Sequence, residues 1–101
     1  MLRHLVLLKF KPDTLPAAIT EITAAFHALR SAIDTVRALE SGTDVSPEGL
    51  ARGYTHAFLL TFDDAAGRDH YLPHPAHQAF VVRLQPLLDD VLVLDYATDG
   101  G

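Results

Sequence analysis

Residues 4–10 read HLVLLKF, seven positions with a single lysine. Side chains of a strand alternate between two faces, so His4, Val6, Leu8 and Phe10 share one face, and Leu5, Leu7 and Lys9 share the other. Both faces are mostly apolar. A strand with water on one side alternates apolar with polar, whereas one apolar on both sides belongs in a sheet covered on both. The stretch VLVLDY (91–96) repeats the character, with Val91 and Val93 on one face and Leu92, Leu94 and Tyr96 on the other.

Between these strands the pattern changes period. From Leu15 the apolar positions Leu15, Ile19, Ile22, Phe26, Leu29 and Ile33 step by four and three, the stripe of an amphipathic helix. Asp13 or Thr14 is the expected N-cap, and Pro16 belongs in the first turn. TVRALESGTDV (35–45) reads as a second strand and SPEGLARG (46–53) as a polar connection punctuated by Pro and Gly. YTHAFLLTF (54–62) is a third strand, with His56, Phe58, Leu60 and Phe62 on one face.

Asp63 or Asp64 can cap a short helix through Tyr71, which must stop before Pro73 because a residue ahead of proline disfavours helical angles. Pro75 suits the first position of another helix, expected to run to about Leu88.

The order is therefore β-α-β-β-α-α-β. This is an α+β, ferredoxin-like subunit with a four-stranded antiparallel sheet, its second helix broken by prolines, over one domain of residues 1–101. Its helices can cover only one sheet face. The other face, with Leu5, Leu7, Leu92 and Leu94, needs a cover that this chain lacks, so the expected partner is a second copy, a homodimer through the helix-free sheet face that forms a dimeric α/β barrel.

Composition excludes several classes. The chain is 49% hydrophobic and 21% charged, within ordinary globular values. A net charge of −5, with eight scattered Lys and Arg, gives no footprint for nucleic acid. There is no cysteine, hence no disulfide and no thiolate chemistry. The opening apolar run is too short to span a bilayer and precedes no cleavage pattern, so no membrane contact and a cytoplasmic location are expected. A phosphate-binding glycine loop and a G-x-S-x-G elbow are both absent.

Chemistry concentrates in HYLPHPAHQAF (70–80). His77, Val81, Leu84 and Leu88 are spaced by four, three and four, so His77 shares a stripe with core residues and points inward. Tyr71, just before the Pro73 break, can reach toward it. If the faces led by His4 and His56 are the helix-facing ones, three imidazoles converge on one apolar space. Its lining would come from Val6, Leu8, Phe58 and Leu60 on the strands, and from Ile22, Phe26, Leu84 and Leu88 on the helices.

Imidazole exchanges a proton near neutral pH and a phenol can donate to an oxyanion. The two suffice for proton abstraction beside a carbonyl. His74 and His77 at i, i+3 could in principle bind a metal, but no carboxylate clusters with them in sequence, so no metal is expected. His27 and His70 carry no pattern and should be exposed.

Taken together, HLVLLKFK, GTDVS, GYTHAFLLTF, YLPHPAHQAF and LVLDY resemble, in order and spacing, the stress-responsive α/β-barrel, or Dabb, family. The pattern is most similar to that of its plant polyketide cyclases. The resemblance implies a dimer that works without cofactor, closing a linear β-polyketide thioester by intramolecular aldol condensation. It implies His77 as the base and Tyr71 as its assistant, with His4 and His56 as pocket histidines. Phe58 stands where those cyclases carry a smaller branched residue and Phe26 where they carry a tyrosine, which implies a pocket of different depth. Two other readings belong to the same scaffold: a non-enzymatic stress-responsive dimer with histidines as core fillers, and a cofactor-free dimeric-barrel monooxygenase.

Overall fold

The structure is a computed structural model and describes residues 1–98. Its elements run β1 (Leu2–Phe10), α1 (Pro16–Ala32), β2 (Ala38–Thr43), β3 (His56–Phe62), α2 (Ala65–Tyr71), α3 (Pro75–Leu84) and β4 (Leu88–Ala97), with a 3₁₀ turn at Gln85–Leu87. The four strands form one antiparallel sheet in the order β2-β3-β1-β4. With three helices beside it, this is the expected ferredoxin-like fold.

Strand β1 lies in the middle of the sheet, and alternation shows directly in its burial: Leu2, His4, Val6 and Leu8 are buried, while Arg3, Leu5, Leu7 and Lys9 are half-covered. The buried face meets Phe58, Leu60 and Phe62 of β3 and Ile22, Phe26 and Leu29 of α1 in a single core, with Tyr71, Phe80 and Leu84 closing it from α2 and α3. On the opposite face Leu5 lies across from Leu59 and Leu94, and Leu7 across from Ala57 and Leu92. Among the described residues no helix covers that side, and Leu92 and Leu94 remain 50% and 60% exposed.

Local chemistry explains most element ends, and it corrects some expectations. Helix α1 starts with Pro16, but neither Asp13 nor Thr14 caps it: the cap position is Leu15, which has no side-chain bond. Thr14 instead turns back and donates to the carbonyl of Lys11 at 2.7 Å. Leu15 is therefore exposed rather than part of the core stripe.

Asp64 caps α2 by accepting from the Gly67 N–H at 3.0 Å. His74 caps α3 through Nδ1, which accepts from the Ala76 N–H at 3.0 Å, with Pro75 in the first turn. Helix α3 stops at Leu84, earlier than its apolar stripe suggests, because Pro86 has no N–H to continue the ladder. Leu88 is consequently the first residue of β4, which begins earlier than residue 91, and β2 is shorter than 35–45.

Candidate active site

A cleft of about 310 Å³, at the small end of ligand-sized pockets, lies between the sheet and α2–α3. Its polar members are His4, Tyr71, His77, Gln85 and Asp95, and the rest of its lining is apolar. The local sequence delivers the key pair. Tyr71 ends α2, the chain breaks at Pro73, and the one-turn entry to α3 brings His77 back so that the two ring centroids lie 4.4 Å apart.

The broken helix also sets the tautomer of His77. Leu72 lies in the break, and its carbonyl accepts from His77 Nδ1–H at 2.8 Å and from Gln78 Nε2 at 3.0 Å. With the proton held on Nδ1, the lone pair of neutral imidazole sits on Nε2. Burial pushes the His77 pKa below its ordinary value; charge on His4 adds to this, and the Leu72 carbonyl opposes it. At neutral pH the ring is a free base.

Tyr71 is shifted the opposite way. It is 1% exposed, and burial raises its pKa well above the usual phenol range, so it remains a phenol. Among the described residues its hydroxyl donates to no protein group, and the one sealed-in side-chain polar atom without a partner is Thr35 Oγ1. The Tyr71 hydroxyl is thus not entombed and is free to donate into the cleft.

His4 comes from β1 and stands edge-on to Tyr71 at 6.0 Å between centroids. Its Nδ1 lies 2.6 Å from Oδ1 of Asp95, and Asp95 Oδ2 accepts from Arg68 of α2 at 3.0 Å. A three-residue chain, Arg68–Asp95–His4, therefore supports the ring beside the Tyr71–His77 pair.

Expected and observed membership differ in instructive ways. Val6, Phe26, Leu84 and Leu88 line the cleft as anticipated, although Leu88 does so from β4. His56 does not join His4 and His77. It pairs with Leu8, four residues along β1 from His4, which at strand rise is about 13 Å away. There it packs edge-on against Phe10 at 5.1 Å, its pKa lowered by burial. Leu8, Ile22, Phe58 and Leu60 lie deeper, as core behind the cleft.

Asp95 and Phe80 escaped the sequence reading. Phe80 falls on the His77–Val81–Leu84 stripe and was detectable there. Asp95 follows Val91 and Val93 by strict alternation, but its partner becomes visible only once β4 is paired with β1. His27 and His70 are exposed, as expected. Among the described residues no cluster of three or more His, Cys, Asp or Glu could hold a metal ion, and no helix is long and apolar enough to cross a membrane.

Comparison with known proteins agrees with this architecture. The Stress responsive A/B Barrel Domain family, Dabb, matches residues 2–98. The stress-response A/B barrel domain-containing protein HS1 of Arabidopsis thaliana is 38% identical over 94 residues, 93% of this chain and 86% of that one. Olivetolic acid cyclase of Cannabis sativa is 30% identical over 94 residues, 93% of each chain.

Among solved structures, At3g17210 from Arabidopsis thaliana superposes with a TM-score of 0.94 at 36% identity, covering 100% of this chain and 98% of the other. Hydroxynitrile lyase from Passiflora edulis does so with 0.91 at 26% identity, covering 99% and 94%. A dimeric ferredoxin-like protein from Thermobifida fusca gives 0.80 at 28% identity, covering 96% and 90%. Matched by the family over nearly its whole length and carrying the fold its relatives share, this chain belongs to the stress-responsive A/B barrel, or Dabb, family.

Proposed function

We propose that the chain is a cofactor-independent acid–base catalyst of carbon–carbon bond formation at a carbonyl, closing a β-polyketide by intramolecular aldol addition. The observation that carries this reading is the Leu72 carbonyl on His77 Nδ1, which leaves Nε2 as a base in an apolar cleft beside an unengaged phenol. His77 takes the proton from the carbon between two carbonyls. The resulting enolate carbon attacks a second carbonyl of the same chain, whose oxygen becomes an alkoxide that Tyr71 stabilises by hydrogen bonding. Protonation of that oxygen by the imidazolium restores the base; loss of water and enolisation aromatise the ring already closed by the carbon–carbon bond, and hydrolysis of the thioester by a second water, with the thiol as leaving group, gives the free acid.

Relatives support the class of chemistry. An aldol cyclisation and the cleavage of a hydroxynitrile both make or break a bond between a carbon nucleophile and a carbonyl carbon, with one proton moved at or next to the oxygen. The similarity to olivetolic acid cyclase and to hydroxynitrile lyase fits one base–phenol pair serving that step. The active unit in this reading is a homodimer through the helix-free sheet face, where Leu5, Leu7, Leu92 and Leu94 would be covered by their own copies in the partner. The dimeric description of a structural neighbour fits this arrangement.

The test is incubation with a linear β-triketo thioester, resolving the carbon-closed aromatic acid from the lactone that forms unaided. Wild type should raise the aromatic product. His77→Ala should lose turnover by roughly 10²–10⁴, the usual worth of a general base, and Tyr71→Phe by roughly 10²–10³, as for loss of an oxyanion donor. Lactone alone, together with rapid cleavage of an aromatic hydroxynitrile, would move the assignment to the lyase reaction. Wild-type and His77→Ala proteins equal in both assays would end the proposal.

A further inference from the structure

A second group of nucleophilic and titratable side chains lies at the other edge of the sheet. Helix α1 carries Ile19, Thr23 and His27 at intervals of four, which places them on one helix face. On β2 the alternation that buries Leu39 against the helices puts Ser41, two residues on, on the same side. There Ser41 Oγ and His27 Nε2 lie 2.7 Å apart. The imidazole rests against Phe58 at 6.1 Å between centroids, and Phe58 is itself fixed in the core.

Beside the pair opens a groove of about 250 Å³, with Ile19 and Phe58 as its apolar floor and Thr23, Ser41, Thr43 and His56 as polar lining. No residue of this groove lines the cleft at His77. Ser41 pairs with Phe58 and Thr43 with His56, so His56 stands two residues along the groove from Ser41 on the same sheet face. Its Nδ1 lies 2.8 Å from Thr55 Oγ1. With that hydroxyl donating to Nδ1, the proton of the neutral ring sits on Nε2. Burial lowers the His56 pKa and favours this neutral form.

We propose that Ser41 and His27 are a nucleophile–base pair, forming a second active site that transfers the acyl group of small carboxylic esters to water. With the Ser41 hydroxyl donating to Nε2, His27 carries its own proton on Nδ1. Ser41 Oγ bonds to the ester carbonyl carbon as its proton passes to His27 Nε2, and the carbonyl electron pair moves onto oxygen, to which His56 Nε2–H donates. Collapse of that alkoxide breaks the bond from carbon to the alcohol oxygen, which takes the proton from the imidazolium. A water deprotonated by the same imidazole then cleaves the acyl–Ser41 ester, releasing the acid and restoring the serine.

The groove sets the substrate class. Its volume lies below the range of drug-sized pockets, so it suits a short acyl chain laid on Ile19 and Phe58. Ser41 and His27 are both exposed, and they stand on the helix side of the sheet, so a dimer through the opposite face leaves them open. The site also gives His56 and His27 a use that the cleft at His77 does not.

The experiment is incubation of the full chain with p-nitrophenyl acetate and p-nitrophenyl butyrate, following nitrophenolate release and locating the acyl group by peptide mass spectrometry. Wild type should release nitrophenolate in a burst and carry the acyl group on Ser41. Ser41→Ala and His27→Gln, both surface changes that remove no core contact, should lose hydrolysis by roughly 10²–10⁴, the usual worth of acid–base catalysis. His56→Gln should lose roughly 10², as for one oxyanion donor. Nitrophenolate released while the acyl group sits on another residue would overturn the proposal. So would no release above the uncatalysed rate, or a Ser41→Ala or His27→Gln protein as fast as wild type.

Discussion

His4 and Asp95 face one another across the β1–β4 pairing, the imidazole Nδ1 2.6 Å from the carboxylate Oδ1, with 91 residues of chain between them. Asp95 also accepts from Arg68 at 3.0 Å, so one carboxylate joins the first strand, the last strand and the helix that carries Tyr71. The contact holds the His4 proton on Nδ1 and leaves Nε2 directed away from the carboxylate.

Asp95→Asn should therefore disturb orientation more than folding. An amide can present either oxygen or nitrogen to the ring, so His4 loses its single tautomer. Nitrogen-15 spectra of the imidazole should show mixed protonation, and kcat/KM should fall by about 10- to 100-fold, the scale seen when an orienting partner of a functional histidine is removed. An unchanged His4 spectrum would mean that the carboxylate does not set the tautomer.

The pH profile should be one-sided. His77 must be neutral to act as a base and its pKa is lowered by burial, so kcat/KM should be level at pH 7 and fall only below the ordinary histidine value of about 6.5. Tyr71 must keep its proton and its pKa is raised, so it introduces no alkaline limb below about pH 10. The stability sign follows from the same shifts. Between the lowered His77 pKa and about 6.5 the unfolded chain binds the proton that the folded one refuses, so stability is lost on acidification through that window. The gap between the denaturation midpoints of wild type and His77→Phe should change with pH below about 6.5 and become constant above pH 7. Parallel midpoints from pH 5 to 8 would show that His77 contributes nothing to the slope.

The proposed dimer makes Leu94 the most informative surface residue. It lies opposite Leu5 on the helix-free face and is 60% exposed. Leu94→Asp places a charge where the partner's apolar face would sit, with Arg3 on the same face two residues along the β1–β4 pairing. Sedimentation should change from dimer to monomer at micromolar concentration, with the circular dichroism of the fold retained. Identical sedimentation of the two proteins would place the interface elsewhere.

Two substitutions should separate local from global stability. Asp64→Ala removes the bond to the Gly67 N–H and should cost about 1 kcal/mol, as loss of an N-cap does. Phe62→Ala empties a fully buried position and should cost about 3–5 kcal/mol. Urea titration measures both, and equal costs would contradict the burial pattern.

Local chemistry made much of this legible. Alternation in β1 and β4, the stepping of Ile22, Phe26 and Leu29, and the prolines at 16, 73 and 75 determined element type and order by themselves, because those periods and breaks are set by covalent geometry over a few neighbouring residues. The same holds for His77, which shares a helical stripe with Val81 and Leu84, and for Tyr71 at the break.

What lay beyond the sequence were relations between elements. Strand alternation assigns a face but not a position along it, so His4 and His56 could share a face and still stand at opposite ends of the sheet. The end of α3 depended on Pro86 outweighing an apolar spacing that continued to Leu88. Asp95 acquired a partner only when register set it opposite His4, and Phe26 and Phe58 became a stacked pair only when α1 settled on β3. Register and packing are determined by the whole core at once, which is why tertiary structure alone decided which of the candidate residues share a site.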